Sequence, residues 1–182
     1  MKRVAFMVLG VVALLAFVAS GAAWANPMRG ERVKVKLNAI SGVKTSASGD
    51  AVFELSKDGK TIHYTLTLKK IDNATMAHVH VVGDNGTPAA ILVWIYPTTG
   101  TAPSLREGSF SGTLAEGDIT DDKLSGPLKG GTAKALFEKI EHGTAGVAIH
   151  TKQNGGGELW GVHKEDKKSR AGMTEEKGSS GY

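Results

Sequence analysis

The chain has 182 residues, 41% of them hydrophobic, with a formal net charge of +4 and no cysteine. The absence of cysteine excludes a disulfide framework and a lipoprotein-type lipid anchor. The charge is too small to argue for a nucleic-acid partner.

The sequence opens MKRVAFMVLGVVALLAFVASGAAWAN. Lys2 and Arg3 form a positive start, Val4 to Val18 is apolar apart from Gly10, and Ala23-Trp24-Ala25 places small residues where a signal peptidase reads. Residues 1–25 are therefore expected to be a signal peptide and the protein to be periplasmic or secreted. The alternative is an uncleaved leader that anchors the chain to a membrane. Cleavage removes Lys2 and Arg3 and lowers the formal charge to +2, which weakens the case for nucleic acid further. What remains fits one domain.

From there the pattern is that of strands. In ERVKVKLNAI, Val33, Val35 and Leu37 alternate with Arg32, Lys34 and Lys36, the two-residue period of a half-buried strand. The segment GDAVFELSKDGKTIHYTLTLKKI reads as a hairpin turning at Asp58-Gly59, with Phe53 and Leu55 on one face, and with Ile62, Tyr64, Leu66 and Leu68 sharing a face of the second strand. MAHVHVV is a further strand, and AAILVWIYP is apolar enough to be covered on both faces. GSFSGTL reads as a shorter strand. In GGTAKALFEKIEHG, Leu136, Phe137 and Ile140 recur at helical spacing, with Thr132 as cap and Gly143 after the end. GVAIHT and ELWGVH complete seven or eight strands. The fold class expected is all-β: an antiparallel Greek-key sandwich or flattened barrel with one short helix. The β domain is expected over residues 26–164, and the polar residues 165–182 as a disordered tail.

The histidines are the candidate chemistry. In MAHVHVV, Val79 and Val81 take one strand face and His78 and His80 the other. In GVAIHT, Val147 and Ile149 share a face and His150 takes the opposite one. All three imidazoles are thus expected to point away from the core, as a surface cluster. Same-face neighbours on a strand lie about 6.6 Å apart at Cα, within reach of one ion. Neutral imidazole suits copper, zinc, nickel or iron, and competing protons are expected to weaken binding as pH falls through about 6.5. His163 is a fourth candidate ligand. His63 reads as a surface residue, and His142 as a partner of the helix end. The bland alternative is that the pair is solvated. Asp84 in GDNG reads as a turn residue. Asp84 and Glu158 are the only carboxylates placed near the histidines. No nucleophile elbow, phosphate loop or His-Glu-x-x-His helix is present in the sequence.

MAHVHVVGDNGTPAAILVWIYP, GPLKGGTAKALFEKIEHGTAGVAIHT and GGGELWGV together resemble the CHRD domain, named from chordin and found also in bacterial secreted proteins. The resemblance covers residues 31 to 164. Its most specific parts are the His-x-His strand, His150-Thr151, and the Gly-Glu-aliphatic-x-Gly run at Gly157 to Gly161. The family usually has an asparagine before the valine of the His-Thr strand and an arginine in the last motif, where this chain has Ala148 or its neighbours and Trp160.

AHVHVVGDNGT and GVAIHT are also similar to copper-binding strands of copper/zinc superoxide dismutases. That similarity implies His78, His80 and His150 as three copper ligands. The zinc loop is not matched, because residues 88 to 110 contain no histidine. Nor are the paired cysteines or the active-site arginine. The resemblances therefore imply at most a single-metal site.

Three functions are compatible with these residues. The first is an exported CHRD-type binding module, holding one transition metal at the histidines, copper favoured over zinc, and free to meet an extracytoplasmic protein partner. The second is a copper-dependent, dismutase-like redox enzyme. The third is a structural or adhesive domain without metal.

Overall fold

The computed structural model describes residues 29–164. The expected signal peptide and polar tail lie outside the described residues. In chain order the elements are β1 (Arg29–Ala39), β2 (Ser48–Ser56), β3 (Ile62–Val82), β4 (Pro88–Tyr96), β5 (Arg106–Ile119), α1 (Ala133–Glu141), β6 (Ala145–Thr151) and β7 (Leu159–Val162). Short 3-10 turns at Asp121–Lys123 and Gly126–Leu128 precede the helix. Every strand pairing is antiparallel. They run β2–β1–β7–β6–β3 and return from β3 to β2, which closes a ring, with β4 and β5 added to β3. This is the all-β barrel or sandwich with one short helix that the alternation implies.

The alternation also settles which face is buried. Val33, Val35 and Leu37 on β1, Phe53 and Leu55 on β2, and Ile62, Tyr64, Leu66 and Leu68 on β3 all belong to one core. Their polar neighbours point out, where Arg32 pairs with Glu54 at 3.0 Å and Lys34 with Asp50 at 3.1 Å. The β2–β3 turn forms at Asp58-Gly59. The Asp58 carboxylate accepts from the Ser56 hydroxyl and the Lys60 amide, and Gly59 takes a positive φ of 71°. Helix α1 adds Ala133, Leu136, Phe137 and Ile140 to the same core. Thr132 caps it by accepting from the Ala135 amide at 3.2 Å.

Two strands differ from their sequence outlines. The second strand of the hairpin and MAHVHVV are one continuous 21-residue strand, β3. It changes partners along its length. Ile62 to Lys69 pair with β2, and Ala74 to Val81 pair with β6. Between these stretches Lys70 and Asn73 both take φ of 52°, and the pairing with β5 shifts register on either side of Ile71 and Asp72. Such irregularities let one strand turn from one sheet layer into the other. Strand β5 has 14 residues rather than the short GSFSGTL. Its outer positions are exposed, and Gly108, Gly112 and Gly117 interrupt it, so no apolar period marks its full length.

The β1–β7 contact is close. A Cβ on Gly161 would collide with the Lys36 carbonyl and lie 3.0 Å from Leu37 Cδ2, whereas Gly156 faces open space. Gly161→Ala is expected to lower unfolding stability by at least about 1–3 kcal/mol, the usual cost of overpacking. Gly156→Ala is expected to leave it nearly unchanged. Urea unfolding midpoints of the two variants check this.

Candidate metal centre

Strands β3 and β6 lie side by side, in a register that pairs Met76 with His150, His78 with Ala148 and His80 with Gly146. No shift interrupts the pairing from Met76 to Val81. Within that stretch Ala77, Val79, Val147 and Ile149 belong to the core, and His78, His80 and His150 occupy the other face. The three rings gather there. Centroids are 5.4 Å apart for His78 and His80, 5.0 Å for His78 and His150, and 6.0 Å for His80 and His150. One ring nitrogen from each lies within 4.8 Å of the others, a grouping that can hold a metal ion.

The expectation of an exposed surface cluster is corrected. His78, His80 and His150 are only 2%, 6% and 7% exposed. The reason is a second cover over the face that points away from the core. Trp94, opposite His78 on β4, stands edge-on at 4.1 Å from the His78 ring. Trp160 on β7 approaches His80 at 6.3 Å. Its indole N–H donates to the Gly86 carbonyl at 2.8 Å, which fastens the turn after β3 over the site. Gly146 leaves the room: a Cβ there would lie 2.6 Å from Trp160 Cη2 and 2.5 Å from the Gly161 carbonyl. Sequence reasoning does not reach the covering role of Trp94 and Trp160. The signal available for it is their placement on apolar strands, with Gly146 and Ala148 small on the histidine side of GVAIHT.

The hydrogen bonds select tautomers. His80 Nδ1 faces the Ala89 carbonyl at 2.8 Å, and His150 Nδ1 faces the Gly155 carbonyl at 3.0 Å. A carbonyl only accepts, so each Nδ1 carries its proton and each Nε2 keeps a lone pair. This is how metal-ligating histidines are usually oriented. His78 Nδ1 and His150 Nε2 are 3.3 Å apart. That matches the spacing of about 3.3–3.4 Å between two nitrogens on a tetrahedral ion with bonds of roughly 2.0–2.1 Å. His80 Nε2 and His78 Nε2 are buried without a hydrogen-bond partner. Leaving a buried polar atom unpaired costs about 1–3 kcal/mol, so the His80 nitrogen aimed into a three-histidine cluster fits a cation and meets no hydrogen-bonding group among the described residues.

The other candidates stand apart from this cluster. His163, beyond the end of β7, bonds through Nδ1 to the Lys34 carbonyl of β1 at 3.1 Å and stands outside the histidine group. His63 pairs with Asp118 at 2.9 Å, and His142 donates to the Glu138 carbonyl at the helix end. Asp84 is an exposed turn residue. Glu158 is 5% exposed and lies outside the ligand group. Met76 carries no signal of its own in the sequence. It shares the strand face of His78 and His80 and sits directly across from His150.

Burial holds the imidazoles neutral. Loss of hydration, then the neighbouring His150 and His80, lowers the His78 pKa to about 3. Burial also lowers His80 and His150 below the ordinary value, against the opposing pull of the carbonyls of Ala89 and Gly155. Proton competition through about 6.5 therefore shifts to lower pH. In the unfolded chain His78 protonates near its ordinary value, about 6.5, while in the folded chain it stays neutral to about 3. Across that window the unfolded state binds the extra proton, so stability falls as pH falls. The metal-free protein is expected to melt progressively lower from pH 7 to pH 4, and His78→Phe is expected to flatten that slope. A His78 ring resonance that titrates near 6.5 in the folded protein would contradict this.

A family model for the CHRD domain matches residues 19–162. No curated protein and no solved structure matches the chain. The match spans the His-x-His strand, the His150 strand and the Gly157–Gly161 run, and so takes in all three clustered histidines. The chain belongs to the CHRD domain family.

Proposed function

We propose that this CHRD domain is an exported copper-binding module that holds a single ion through His78 Nδ1, His80 Nε2 and His150 Nε2. The observation that carries the reading is the buried His80 Nε2, unpartnered in a cluster where backbone carbonyls hold the Nδ1 protons of His80 and His150 and leave both Nε2 lone pairs free. Copper is favoured over zinc on ligand chemistry. An all-imidazole set binds copper more tightly than zinc in the general affinity order of divalent ions, and a thioether beside it adds a soft donor. Met76, across from His150, is in place to be that neighbour. Export rests on the leader at residues 1–25.

The dismutase-like reading draws on the same three histidines. Two observations weigh against it. Among the described residues the ligand group contains no fourth histidine, and the rings are closed in by Trp94, Trp160 and the turns after β3 and β6. Redox turnover needs an open coordination position that a small anion can reach. A site of this kind suits holding an ion better than cycling it.

Copper titration of residues 26–182 against a competing chelator tests the proposal. The expected result is one tight equivalent, with His80→Ala weaker by at least about 100-fold, beyond the 10–100-fold typical of losing a supporting residue. His63→Ala is expected to match the parent. A parent that binds no better than the His78/His80/His150 triple alanine variant overturns the reading and leaves a structural domain. Superoxide consumption by the copper-loaded domain, abolished by His80→Ala, would favour the enzyme. Mass spectrometry of the exported protein is expected to find Asn26 at its start, and a retained Met1 would contradict cleavage.

A further inference from the structure

Glu158 is an acid with no place among the ligands, yet it is 5% exposed. A buried carboxylate persists only where its lone pairs are occupied. Here Oε1 accepts from the Thr45 hydroxyl at 2.7 Å. Oε2 accepts from the Thr151 hydroxyl at 2.7 Å and from the Asn154 amide at 2.8 Å. Burial pushes its pKa up, but these three bonds outweigh burial and hold it below the ordinary range.

The three donors show what the carboxylate ties together. Thr45 belongs to the β1–β2 connection. Thr151 and Asn154 are the two sides of the tight turn after β6, closed by the Asn154 amide on the Thr151 hydroxyl and the Gly157 amide on the Asn154 carbonyl. The residue held in that turn is Gly155, whose carbonyl accepts the His150 Nδ1 proton at 3.0 Å. The glycine before the acid is required as well. Gly157 has φ of 123°, and a Cβ on it would lie 2.7 Å from Ile40 Cδ1 and 4.0 Å from His150 Nδ1.

We propose that Glu158 is a positioning residue for the metal centre: it fixes the Thr151–Gly157 turn so that the Gly155 carbonyl holds His150 in the tautomer whose Nε2 faces the ion. The metal part rests on the reading of the three histidines as a copper site. The tautomer part does not, since it concerns the protein without metal. The Gly-Glu-aliphatic-x-Gly run then has a physical role. Its acid organises the turn, its first glycine lets the turn pass Ile40 and His150, and its last glycine lets β7 approach β1.

The test is Glu158→Gln, read by the ring-nitrogen NMR signature of His150 in the metal-free protein and by copper affinity. A carboxamide offers one acceptor oxygen in place of two, so at least one of the three donors loses its partner. The parent is expected to show His150 as the single Nδ1–H tautomer. The variant is expected to show a mixture, with copper affinity lower by about 10–100-fold, while the His80 tautomer, held by Ala89, stays as in the parent. Thr45→Val removes one donor without touching the turn or any histidine. It is expected to move both readouts the same way by less, and it decides the matter if Glu158→Gln does not fold. A folded variant with unchanged His150 tautomer overturns the proposal, even if copper affinity falls. A tautomer change in a protein whose parent binds no copper supports the positioning and overturns the metal reading alone.

Discussion

Six consecutive residue pairs, from Met76 opposite His150 to Val81 opposite Ala145, govern the rest of this structure. Side chains alternate across a strand, so a slip of one residue would exchange the faces of β3 relative to β6. It would carry the imidazoles into the core and the valines out of it. The core therefore enforces the site. Val79, Val147 and Ile149 are fully buried on one face, and their packing fixes where His78 and His150 meet on the other. The bend of β3 at Lys70 to Asn73 belongs to the same constraint. It allows one strand to anchor in the β1–β2 layer and still present its second half to β6.

Burying three imidazoles carries an energetic cost that the fold offsets only in part. Two nitrogens are satisfied by the carbonyls of Ala89, at the start of β4, and of Gly155, in the turn after β6. Those bonds orient the rings and leave lone pairs converging. The tryptophan cover removes the water that would otherwise occupy them. A cluster built this way stays neutral where free histidine would begin to protonate, because a charged ring there would lose its hydration and face two others. Orientation, dryness and neutrality are the properties a metal ligand set needs, and each has an identifiable residue behind it.

Much of this was legible in the residue pattern. The two-residue period at Val33 to Leu37 and Ile62 to Leu68 gave the buried face of the barrel, and Thr132, Leu136, Phe137 and Ile140 gave the helix. The shared parity of His78, His80 and His150 required neighbouring strands, and β3 and β6 are neighbours. What parity does not carry is the environment of the face it identifies. Away from the core does not mean exposed here, because Trp94 on β4 and Trp160 on β7, the strands that follow β3 and β6, cover that face. The continuity of β3 was hidden because Lys70 to Asn73 interrupts the period without ending the strand. The ends of β5 were hidden because an exposed, glycine-broken strand has no apolar signature. The place of His163 depended on the β1–β7 contact, which no local pattern contains.

The central claim is that the three buried histidines exist to hold one ion. Elemental analysis of the protein, purified without added metal and dialysed exhaustively, tests it most directly. The account predicts close to one copper per chain in the parent and none in the His78/His80/His150 triple alanine variant. A parent that emerges metal-free and takes up no copper on reconstitution, or a triple variant that retains as much as the parent, would contradict it.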